Sequence, residues 1–227
     1  IENEFYSTVR PKQIAESCEK PTLALKRRGV KYIEIRSLDL DLFNPIGIDK
    51  NTAYFIETFL LSCLLQDSPK YTGYEQQINN VNQLNVAHLG RKPDLQLNKD
   101  DQLITLKSWA NEILADMKPI CDILDNNESG TPYSSALATQ SKVIENADLT
   151  PSAKVLDGMK KAQQGFGCLG IDSSTKHKQY FKQNKLDSVT TQQFDEMAIA
   201  SHQKQHQIEE NDTLSFDDFL DDYFSQA

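Results

Sequence analysis

VKYIEIR, which occupies residues 30–36, is the stretch that decides the fold. Its β-branched and aromatic residues alternate with charged ones, a pattern that predicts a β-strand. Because side chains alternate between the two faces of a strand, Glu34 and Arg36 should project from the same face, about 6.5–7 Å apart along the strand. The sequence therefore places a carboxylate beside a guanidinium group on one face of a sheet.

Helical patterns dominate the chain after this strand. The stretch from about Lys50 to Gln66 has apolar residues on almost every face, so we expect a buried helix there. Other helices are predicted over residues 21–28, 74–89, 102–125, 132–146, 151–163, 174–186, 192–210 and 216–225, with a glycine-rich loop (GFGCLG) at residues 165–170. A few N-terminal strands from an incomplete antiparallel sheet, followed by a mostly helical C-terminal region, predict an α+β fold.

The composition argues against several classes of protein. The 227 residues carry 24 Lys and Arg against 33 Asp and Glu, and a net charge of −9 does not suit non-specific nucleic-acid binding. The most apolar run, residues 53–65, is shorter than the roughly 20 residues that a membrane span needs. Four widely spaced cysteines without a CxxC pair exclude a zinc ribbon and indicate reduced thiols in a cytoplasmic protein.

Charge is distributed unevenly along the chain. The segment from Leu186 to the end contains ten acidic residues and one lysine, whereas residues 1–36 contain eight basic and five acidic residues. A locally basic surface next to carboxylates is suited to binding phosphate together with a metal ion. An ordinary solvated surface gives the same charge pattern.

The pair formed by Glu34 and Arg36 is the strongest candidate site. The carboxylate can hold Mg²⁺ through oxygen, and the arginine on the same face can bind phosphates. The alternative is a salt bridge on an exposed strand. Two other motifs are weaker: His202 and His206 have metal-ligand spacing but no third ligand, and the GxGxxG string at residues 165–170 has no preceding strand.

Longer motifs resemble a known family. IENEFYSTVRPK at residues 1–12, PTLALKRRGVKYIEIRSLDLDLFNPIGID at residues 21–49 and LGRKPDLQL at residues 89–97 resemble segments of proteobacterial-type glutamate–cysteine ligases, and DLTPSAKVLDGM at residues 148–159 gives further support. Asp94 stands where that family often has glycine. The resemblance implies the C-terminal portion of such an enzyme, with part of a glutamine synthetase-like ligase fold.

The resemblance also implies a reaction and roles for three residues. The family uses ATP to activate the side-chain carboxylate of L-glutamate as an acyl phosphate, which the amine of L-cysteine attacks, in the first step of glutathione synthesis. Carried over by position, Glu34 is a Mg²⁺ ligand, Arg36 binds the transferred phosphoryl group and acts in catalysis, and Tyr6 lines the cysteine pocket. Residues 1–97 correspond to the catalytic core and residues 98–227 to a helical region with an acidic tail.

Two alternatives stay open from the sequence. The chain could belong to another ATP-dependent carboxylate–amine ligase with a different amine acceptor, or it could be a non-catalytic helical interaction module that docks through its acidic tail. The family is much longer, and the chain does not begin with Met. We therefore expect a fragment that is inactive alone and whose partner is the missing N-terminal half of the same enzyme.

Overall fold

A computed structural model describes residues 7–226 of the chain, and within this range it contains four short strands and nine α-helices. The strands are β1 (Val9–Lys12), β2 (Tyr32–Ile35), β3 (Gln96–Lys99) and β4 (Gln102–Thr105). The helices are α1 (Pro21–Arg28), α2 (Lys50–Leu65), α3 (Gly73–Leu89), α4 (Leu106–Asp125), α5 (Pro132–Glu145), α6 (Pro151–Ala162), α7 (Phe166–Gln183), α8 (Ser188–Asn211) and α9 (Phe216–Ser225). The strands form two antiparallel pairs, β1 with β2 and β3 with β4. The predicted α+β class, with few strands and many helices, is confirmed.

The chain divides into two compact units. The terminal unit combines the chain up to Asp39 with the chain from Lys182 onward, and the central unit runs from Leu40 to Phe181. None of the described helices is long and apolar enough to cross a membrane. The predicted division at residue 97 stays a prediction.

The terminal unit contains the β1–β2 pair and α1. Helix α1 begins at Pro21 and is closed by Gly29, which adopts a φ of 74° and donates its N–H to the carbonyl of Leu25. Glycine suits this position because it lacks the Cβ that makes positive φ unfavourable. The end of the chain is attached nearby, since the amide nitrogen of Gln226 donates to the carbonyl of Cys18 over 2.6 Å.

The central unit is built around the packing of α2, α4 and α5. Met117 and Cys121 of α4 and Ala136 of α5 are fully buried, and Thr58 of α2 lies 3.9 Å from the thiol of Cys121. The expectation that α2 is buried on almost every face is wrong. The buried residues of α2 are Thr58 and Ser62, whose small side chains allow neighbouring helices to approach closely. Leu64, by contrast, is 78% exposed.

Two further local predictions are corrected. The segment 102–105 is a strand rather than the start of a helix, because Asp100 and Asp101 both adopt positive φ and turn the chain into the β3–β4 hairpin. Helix α4 therefore begins only at Leu106. The glycine-rich segment at residues 165–170 is helical except for Gly165, since α7 begins at Phe166 and includes Gly167 and Gly170.

Candidate functional site

Four charged side chains share one face of the β1–β2 pair. In the antiparallel register, Arg10 lies opposite Glu34 and Lys12 lies opposite Tyr32. Residues directly opposite each other project from the same face, as do residues two apart on one strand. The backbone N–H of Arg36 donates to the carbonyl of Thr8 over 2.8 Å, which extends the pairing by one residue. The face therefore presents one carboxylate among three cations, and we call Arg10, Lys12, Glu34 and Arg36 the charged face.

Both oxygens of the Glu34 carboxylate face cations. Arg36 donates from its Nε to Oε1 over 2.9 Å, and Nζ of Lys12 lies 3.2 Å from Oε2. The contact with Lys12 is an ion pair without the geometry of a hydrogen bond, so the buried Oε2 accepts no hydrogen bond from the described residues. The hydrogen bond from Arg36, followed by the interaction with Lys12, holds the pKa of Glu34 below its usual value. The carboxylate is therefore held in its ionised form.

The structure brings together the two site residues that the sequence paired. Glu34 and Arg36 lie on the same face, and each side chain is about one-third exposed. Their roles stay predictions, because a structural salt bridge would show the same contact. Tyr6 lies outside the described residues, as do the acidic residues Glu2 and Glu4.

Sequence reasoning did not assign a role to the two cations on β1. Lys12 and Arg10 were part of the basic N-terminal segment, but nothing in their own neighbourhood indicated that they face Glu34. The available signal was their spacing of two residues, which predicts a common face if Pro11 lies in a strand. The partner of that face depends on the register of β1 against β2, which local sequence does not specify.

The other candidate motifs do not form sites. His202 and His206 lie on the exposed surface of α8, and within residues 7–226 no group of three or more His, Cys, Asp or Glu residues is arranged to hold a metal ion. The GxGxxG string begins one residue before α7 and continues into its first turns, and it follows α6 rather than the strand of a dinucleotide site.

The chemistry of the charged face fits a divalent cation and phosphate. Oε2 of Glu34 is a buried oxygen that accepts no hydrogen bond from the described residues, and carboxylate oxygens are ligands that Mg²⁺ prefers. Arginine and lysine side chains beside it can neutralise phosphate oxygens. Among the described residues Glu34 would be a single metal ligand, so further ligands would have to come from elsewhere in the protein.

Comparison with known proteins identifies relatives over almost the whole chain. The family model for glutamate–cysteine ligase matches residues 1–86. The glutamate–cysteine ligase of Alcanivorax borkumensis is 38% identical over 224 residues, which is 99% of this chain and 43% of that protein. The enzyme of Pseudomonas fluorescens is 37% identical over 98% of this chain and 42% of its own length. The resemblance predicted from the motifs is confirmed.

A solved structure supports the same relationship. The crystal structure of glutamate–cysteine ligase from Francisella tularensis in complex with AMP matches with a TM-score of 0.87 and 34% identity. The match covers 99% of this chain but 44% of that chain. The chain therefore spans less than half the length of the proteins it matches, as expected for a partial fold.

Proposed function

Since this chain is a relative of the glutamate–cysteine ligases in sequence and in fold, we propose that it forms part of an enzyme that joins the γ-carboxyl group of L-glutamate to the amine of L-cysteine at the expense of ATP. The products are γ-glutamylcysteine, ADP and phosphate. The similarity over 98–99% of the chain to curated ligases supports this function, and it favours a ligase over a helical docking module. The cytoplasmic location expected from the sequence belongs to the same proposal.

The charged face carries the phosphoryl-transfer part of this proposal. Transfer of phosphate from ATP to a carboxylate is promoted mainly by positioning and by neutralising the charge on the phosphate oxygens. Arg36 would bind the transferred phosphoryl group, and Glu34 would hold Mg²⁺, which when bound supplies positive charge to the nucleotide phosphates. Their contact through Oε1 keeps the two groups adjacent and fixes the orientation of the carboxylate.

Other roles complete the proposal. Tyr6 would line the pocket for the amine acceptor, residues 1–97 would belong to the catalytic core, and residues 98–227 would form the helical region. The chain corresponds to about 43% of its relatives, and we assign it to their C-terminal portion. A site with one metal ligand among the described residues is too weak to bind Mg²⁺ tightly, so the remaining ligands would belong to the missing N-terminal half.

The pairing of Glu34 with Arg36 on one face is the observation that carries the proposed mechanism, and substitution of Glu34 tests it. In the full-length protein that contains this chain, Glu34→Gln should lower kcat by about 100-fold or more, the size expected when one stabilising charge is removed from a transition state. The melting temperature should change little, because the side chain keeps its shape. Activity is measured as formation of ADP that depends on both amino acids.

A second ion pair in the same unit supplies the control. Arg28 donates to Glu19 over 3.0 Å, and neither residue belongs to the charged face, so Glu19→Gln removes a charge from another ion pair of the terminal unit. This variant should keep activity within about twofold. Equal activities for Glu34→Gln and Glu19→Gln, with only a stability change in the former, would show that Glu34 and Arg36 form a structural salt bridge.

A further inference from the structure

Lys12 is the cation that occupies the space beside Oε2 of Glu34. Its ammonium group lies 3.2 Å from Oε2, whereas Arg36 occupies Oε1. Lys12 reaches this oxygen from the neighbouring strand β1. It lies two residues after Arg10, the residue directly opposite Glu34. The Lys12 side chain is 29% exposed, so it retains access to solvent and can move away from the carboxylate.

A divalent cation and this ammonium group would compete for the same oxygen. Oε2 is buried and accepts no hydrogen bond from the described residues, so a nearby cation compensates for the loss of water around it. Two cations beside one buried oxygen repel each other, and a metal ion bound to Oε2 would take the space that the ammonium group of Lys12 occupies. Arg36 does not create this conflict at Oε2, since it holds the other oxygen.

From this arrangement we infer that Lys12 is a positioning residue that competes with the divalent cation for Glu34. While the metal is absent, Lys12 pairs with Oε2 and keeps the carboxylate oriented toward the charged face. When the metal binds, Lys12 leaves Oε2 and stays on a face that it shares with Arg10 and Arg36. This inference rests on the proposed role of Glu34 as a metal ligand, and it adds a residue that lowers metal affinity in the absence of nucleotide.

Direct metal binding tests the inference without relying on activity. Mn²⁺ serves as the probe, and its binding to the full-length protein without ATP is followed by electron paramagnetic resonance. Lys12→Met should tighten Mn²⁺ binding by about threefold to fivefold, the size expected from loss of a partly exposed ion pair. Lys12→Gln should give the same change, and Lys12→Arg, which keeps the charge, should restore the original affinity.

Two further variants separate the possible outcomes. Lys31→Met removes a positive charge just before β2, at an exposed side chain, and should leave the Mn²⁺ affinity unchanged. If Lys31→Met and Lys12→Met tighten binding equally, the effect is one of net charge and the inference fails. If Glu34→Gln weakens Mn²⁺ binding while neither Lys12→Met nor Lys12→Gln changes it, the inference fails and the proposed function stands. If Glu34→Gln has no effect on Mn²⁺ binding, the proposed metal site itself is wrong.

Discussion

Asp125, the last residue of α4, caps the start of α5 with its side chain. Its removal should destabilise the central unit. The carboxylate accepts hydrogen bonds from the backbone N–H groups of Tyr133 over 2.9 Å and Ser134 over 3.0 Å. Thr131, which precedes α5, makes no capping hydrogen bond with its own side chain. Asp125 is therefore the residue that satisfies these two N–H groups.

The size of the effect follows from these two contacts. A hydrogen bond to a charged acceptor contributes roughly 1.5–3 kcal/mol, and an N-cap replaced by alanine costs about 0.5–2 kcal/mol. Asp125 is 9% exposed, so water replaces the lost acceptor only in part. We expect Asp125→Ala to lower the free energy of unfolding by about 2–3 kcal/mol.

Urea unfolding of the chain, followed by the fluorescence of the single tryptophan, measures this change. That tryptophan is Trp109, which lies in α4 and reports on the helix that carries Asp125. Asp122→Ala is the matched control, because Asp122 is an exposed residue of the same helix. A loss for Asp125→Ala no larger than the loss for Asp122→Ala would refute the reasoning.

The pH dependence of the Asp125 variant gives an independent check. Burial raises the pKa of Asp125, but hydrogen bonds from Ser134 and Tyr133 outweigh it, and the pKa lies below its ordinary value. A group whose pKa is lowered by folding stabilises the protein above its unfolded pKa, and this contribution is lost as the pH falls through the folded value. The difference in stability between the native protein and Asp125→Ala should therefore be constant near neutral pH and shrink below about pH 4.

The remaining predictions concern the helical core and the isolated chain. Met117 is fully buried whereas Met197 is 65% exposed, so Met117→Ala should lower the free energy of unfolding by about 2–5 kcal/mol and Met197→Ala by less than about 0.5 kcal/mol. Urea unfolding measures both, and similar losses would contradict the packing described for α4. The chain of 227 residues alone should form no γ-glutamylcysteine from ATP, glutamate and cysteine. Detection of the dipeptide by mass spectrometry would show that the chain is sufficient for catalysis, against the prediction.

Local signals predicted many of the helices. Proline at the first position and glycine after the last residue predicted α1 over Pro21–Arg28, and the bounds of α9 at Phe216–Ser225 were also predicted. The β3–β4 hairpin was not predicted, because its turn is made by Asp100 and Asp101 without the glycine that usually indicates such a turn. The start of α7 was placed too late in the sequence, at about residue 174, because the glycines before it suggested a loop.

The sequence by itself determined that Glu34 and Arg36 share a face, because the two-residue period of a strand is a local property of the backbone. It did not determine that Lys12 meets Glu34 or that Asp125 caps α5. The first contact requires the register between two strands, and the second requires one helix to end against the start of another. Only the tertiary structure decides such contacts, because each joins two segments and the sequence of one segment does not determine where the other packs against it.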